Sequence, residues 1–72
     1  MFTPEDHLDA IDHDLGSLRR RLYDHDMTPP WRITDERLFV AERARLVQRI
    51  ADLEHDREEL REKLLAEKEW AA

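Results

Sequence analysis

The apolar residues of this chain fall into two stripes with helical spacing. Leu8, Ile11, Leu15, Leu18 and Leu22 recur every three or four residues, which places them on one narrow face of an α-helix. Thr3 precedes the stripe as an N-cap, and Pro4 suits the first helical position. Glu5 and Asp6 put negative charge at the positive end of the helix dipole. Asp9, Asp12 and Asp14 then give way to Arg19, Arg20 and Arg21, so the charge gradient follows the dipole to the other end. Gly16 falls mid-helix, where glycine costs about 1 kcal/mol relative to alanine. Close approach of a second helix, or a slight bend, would account for it.

The periodicity stops near Asp26. The segment Met27-Thr28-Pro29-Pro30-Trp31-Arg32-Ile33 lacks two amide donors, and Pro29 biases Thr28 away from the helical region. Thr34 then reads as the cap of a second helix, with Asp35 and Glu36 in its first turn. No glycine or proline follows through Ala72. The expected organisation is a single domain over 1–72: a helix over 3–26, a Pro-Pro-Trp loop over 27–33 and a long helix over 34–70. At 1.5 Å per residue the arms measure about 33 Å and about 50 Å.

The second stripe has two textures. Phe39, Leu46, Leu53 and Leu60 repeat every seven residues, with Ile50 and Leu64 at the intervening positions, a d and a pattern of heptads. Val40, Ala44, Val47 and Ala51 broaden the face between Leu38 and Leu53, as if for more than one neighbour. Beyond Leu53 the face narrows to Leu60, Leu64 and Leu65, with Trp70 near the end. Arg43 and Arg57 interrupt the a positions. Their stems can pack while their heads reach solvent or a carboxylate.

Folding the arms back across the loop sets Leu22 opposite Phe39, Leu15 opposite Leu46, Ile11 opposite Ile50 and Leu8 opposite Leu53. The fold class is therefore all-α, an antiparallel helical hairpin with unequal arms. The stretch from about Glu58 to Ala72 overhangs, leaving Leu60, Leu64 and Trp70 without cover from the first arm. A second copy of the chain would cover them, so the expected assembly is a homodimeric bundle or coiled coil.

Composition sharpens this picture. Seventy-two residues form one small domain, and a single core of that size rarely contributes more than about 3–5 kcal/mol. Cysteine is absent, which removes disulfides, thiolate metal sites and thiol nucleophiles. A single glycine excludes Gly-rich phosphate loops. Charged residues make up 42% of the chain, with a formal net charge of −6. No run approaches the roughly 20 apolar residues of a membrane span. Met1 to Asp6 is acidic where an export signal is basic and then apolar, so the expected location is cytoplasmic. The strong preference for arginine over lysine points to a GC-rich genome, such as that of an actinobacterium or one of its phages.

Candidate chemistry is sparse. Asp9 and His13, Asp52 and His55, and His7 beside His55 are loose pairs on solvated faces, not the inward Glu-x-x-His sets of di-metal bundles; no metal or other cofactor is expected. Ser17 is the only serine and has no adjacent base, and two helices offer little concavity for a substrate. No enzyme activity is expected. Arg19, Arg20 and Arg21 could contact phosphates, yet the chain is acidic and its other basic residues alternate with carboxylates. Trp31 either plugs the loop end against Leu22, Ile33 and Phe39, the simpler role, or anchors a partner, since interface hot spots are enriched in Trp. The Trp-x-Gly signature of secreted WXG-type hairpins is absent, because Arg32 and Ile33 follow Trp31.

The function expected from these residues is a small protein–protein interaction module, an adaptor, regulator or assembly component of phage or mobile-element type. It would act on a host or cognate protein through apolar helix faces and through Trp31, Leu60, Leu64 and Trp70. The alternative is a small DNA-associated regulator using Arg19–Arg21. The far-ultraviolet circular dichroism spectrum should be that of a mostly helical protein in dilute buffer. A disordered spectrum would mean that the chain folds only on binding.

Overall fold

The structure, a computed structural model, describes residues 3–71, with side chains as far as Lys68. Helix α1 spans Pro4–Asp26, a short 3₁₀ turn spans Pro30–Arg32, and helix α2 spans Glu36–Ala71. The arms pack antiparallel as a hairpin of unequal lengths. The molecule measures 58 × 18 × 18 Å, with a radius of gyration of 16.8 Å. A compact domain of this length would have a radius of gyration of about 11 Å.

The ends of the helices follow from local chemistry. The Thr3 hydroxyl accepts from the Asp6 N–H at 3.1 Å, and the Asp6 carboxylate accepts from the Thr3 N–H at 3.1 Å. This reciprocal capping box satisfies two orphan donors. At the other end of α1, the Met27 N–H donates to the Tyr23 carbonyl and the Thr28 N–H to the His25 carbonyl. The Thr28 hydroxyl donates to the Asp24 carbonyl. Chain reversal continues through Pro29, whose backbone is extended, into the 3₁₀ turn. The cap of α2 is Asp35, not Thr34: its carboxylate accepts from the N–H groups of Arg37 and Leu38 at 3.0 and 3.2 Å. A carboxylate at that position also meets the positive end of the dipole, an advantage the threonine hydroxyl lacks.

The core is small. Among the described residues only Ile11, Leu15, Ile50 and Leu53 are buried, with Leu18, Leu22 and Leu60 packed partly buried around them. Leu15 is 1% exposed.

The arms are offset from the expected register. Arg57 pairs with Asp12, Arg19 with Glu54, and Arg43 with Asp26. These pairs join residues eight to twelve positions beyond the alignment that sets Ile11 opposite Ile50, and the His25–Phe39 stack lies three positions beyond it, so α2 is shifted by roughly one to two helical turns. A slip of one heptad returns the a and d positions to the same face, so the apolar pattern fits both registers equally. Two consequences follow. The first turns of α2 run on past the end of α1, beside the loop. The overhang at the other end shortens, and Leu60, expected to be uncovered, packs against the core while Leu64 is half-buried.

Close approach of a second helix does not account for Gly16. Its backbone has no positive φ, and a Cβ at this position would meet nothing within 4 Å. Gly16→Ala should therefore raise stability by about 1 kcal/mol, seen as an increase in Tm of about 4–8 °C for a domain of this size. Leu15→Ala should cost about 2–5 kcal/mol, enough to unfold most of the population at 25 °C if the wild type has only a few kcal/mol. Urea denaturation followed by circular dichroism measures both.

Candidate interaction surfaces

Trp31 lies outside the core. It is 83% exposed, which overturns its expected role as a plug. The 3₁₀ turn is the cause: Arg32 N–H donates to the Pro29 carbonyl and Ile33 N–H to the Pro30 carbonyl. This closure leaves Ile33 half-buried and Trp31 in solvent. A different pair of rings packs between the arms near the loop. The His25 ring stacks on Phe39 with centroids 3.8 Å apart and planes 18° apart. Tyr23, Met27 and Leu38 are further exposed apolar or aromatic residues towards this end of the hairpin.

A second surface lies along α2. Val40, Ala44, Val47 and Ala51 follow one another at spacings of four, three and four, a continuous row on a helix. At 100° per residue this row sits about 120° around the helix from the core-facing row, so α1 cannot cover it. Val40 is 66% and Val47 41% exposed, and both alanines are exposed as well. Glu36, Arg37, Val40, Ala41 and Ala44 line a shallow groove of about 450 Å³ at its start. Charged residues bound the row, Glu36 and Arg37 before it and Glu54 and Glu58 after it.

The remaining expected site residues separate. Leu60 belongs to the core rim and Leu64 is half-buried, so neither matches Trp31 in exposure. The Trp70 side chain lies outside the described residues. In the Arg19–Arg21 triplet, Arg19 is held by Glu54 at 3.2 Å. Arg20 and Arg21 share a surface groove with Asp12 and Asp24, whose charges offset theirs. Arg43 and Arg57 do reach carboxylates, Arg43 Nε lying 2.9 Å from Asp26 Oδ1.

Among the described residues, no three His, Asp or Glu side chains converge as a metal site would require. His55 pairs with Glu59 at 3.1 Å and Asp52 with Gln48 at 2.9 Å, so the Asp52–His55 pair read from sequence does not form. Among the described residues no helix is long and apolar enough to cross a membrane. No protein-family model, curated protein or solved structure matches the chain.

Sequence reasoning missed His25. The residue falls three positions beyond Leu22, on the continuation of the α1 stripe, and that spacing was the available signal.

Because the Trp31 side chain lies mostly in solvent, Trp31→Ala should change folding stability by no more than about 0.5 kcal/mol. Thermal denaturation of the two proteins at equal concentration decides this. A loss near 3 kcal/mol would restore Trp31 to the core.

Proposed function

We propose that this chain is a protein–protein interaction module, an adaptor, regulator or assembly component whose role is binding and not catalysis. One observation carries the reading. The chain presents 6316 Å² of accessible surface, against about 4,700 Å² for a compact monomer of this mass, and part of the excess is an ordered apolar row. Contiguous exposed apolar surface rimmed by charge is the mark of an interaction site.

The first partner we propose is a second copy of the chain. The Val40–Ala51 row has the heptad-like spacing of a two-helix seam. Its alanines would let another helix approach closely, towards the short end of the 8–10 Å range of interaxial distances. Twofold pairing is the commonest closed arrangement. In this reading the homodimer seam runs along the Val40–Ala51 row and not through Leu60, which packs against the core of its own chain. Trp31 would remain free on the dimer to anchor a host or cognate protein, presented on a turn stiffened by two prolines. The DNA-regulator alternative has less support, because Arg19 is engaged and acidic residues accompany Arg20 and Arg21.

Light scattering on a sizing column should find the wild type dimeric at micromolar concentration. Val40→Glu combined with Val47→Glu should be monomeric with an unchanged helical spectrum, since both positions are exposed. A monomeric wild type, or a double variant that stays dimeric, would remove the row as the self-interface. Strong salt-dependent retention on heparin would favour the nucleic-acid alternative instead.

A further inference from the structure

The exposed row on α2 is uneven in a regular way. Large and small side chains alternate along it: Val40, Ala44, Val47, Ala51. The charges at its two ends also differ. Before Val40 stand Glu36 and Arg37, which offset each other; after Ala51 the row runs on into Glu54 and Glu58. All four charged residues are exposed. Arg19 holds Glu54 from α1 at 3.2 Å, whereas Glu58 has no ion-pair partner among the described residues.

Two copies can meet along this row in two ways. In a parallel pair each residue faces itself. Layers of valine on valine then alternate with layers of alanine on alanine. Two helix axes keep one separation over so short a seam, so the valine layers set it and the alanine layers lose contact. The same pairing sets the acidic end of one copy against the acidic end of the other, with Glu58 facing Glu58. An antiparallel pair about a twofold axis between Ala44 and Val47 sets Val40 opposite the partner's Ala51 and Ala44 opposite the partner's Val47. Every layer then holds one large and one small side chain, and a single short separation fits all four. The acidic ends move apart. Arg37 comes level with the partner's Glu54 and within one turn of the partner's Glu58. Helix α1 packs about 120° away around α2 and obstructs neither arrangement.

We propose that the chain pairs with itself antiparallel along the Val40–Ala51 row. This rests on the reading of that row as the self-interface and adds its direction. The twofold axis places the starts of the two α2 helices about 30 Å apart. The two Trp31 turns are therefore sent towards opposite ends of a rod instead of lying side by side.

The chain has no cysteine, so a thiol placed on the row reports its own neighbour. Full-length Val40→Cys and Ala51→Cys, each alone and mixed in equal amounts, are equilibrated in a glutathione redox buffer. Mass spectrometry counts the disulfide-linked dimers, and light scattering gives the state of the wild type. In the antiparallel pair position 40 lies about 16 Å along the axis from its own copy, beyond the roughly 7 Å that a disulfide spans between Cα atoms. The mixed sample should therefore give bridges between the two variants in at least tenfold excess over bridges within either one. Self-bridges that equal or exceed the mixed bridge in a dimeric protein overturn the antiparallel direction and leave the self-interface standing. A monomeric wild type, or a dimer that forms no bridge of either kind, overturns both.

Discussion

The hairpin holds one register because opposite charges meet across its arms in that register. Arg57 with Asp12, Arg19 with Glu54 and Arg43 with Asp26 are half-exposed pairs, each worth only about 0.2–1 kcal/mol. They matter as a choice between alternatives more than as stabilisation. Two leucine stripes with heptad spacing can slide past each other by seven residues and still present apolar to apolar. The charges do not repeat with that period, so only one of the two alignments brings all three arginines to carboxylates. The offset then decides which α2 residues α1 covers and where the arms cease to overlap.

The same arrangement explains why the molecule is more surface than core. Two helices bury one row each, and here that yields four buried side chains among the described residues. The apolar residues of α2 occupy two rows about 120° apart, and α1 can pack on only one of them. Val40, Ala44, Val47 and Ala51 therefore remain in solvent together with Trp31. A chain with so small a core gains stability from further burial as well as whatever binding function that burial carries out.

His25 is the exception within the loop-end packing. The stripe of α1 continues into it, and a phenylalanine or leucine there would pack on Phe39 without an unpaired nitrogen. Local rules of sequence are broken most informatively where a polar group occupies an apolar position. Asp26 and Glu42 each stand 3.9 Å from one of the His25 ring nitrogens, beyond hydrogen-bond length.

The sequence by itself determined the helices, their boundaries to within two residues, the antiparallel reversal and the small size of the core. These depend on caps, prolines and apolar spacing, all of which act within a few residues. It also marked Arg43 and Arg57 as arginines that would reach out of the apolar row. The tertiary structure alone decided the register, because a seven-residue slip leaves the apolar pattern unchanged. From the register came the cover over Leu60. A tryptophan beside two prolines reads the same whether it points in or out. The 3₁₀ turn leaves Trp31 83% exposed.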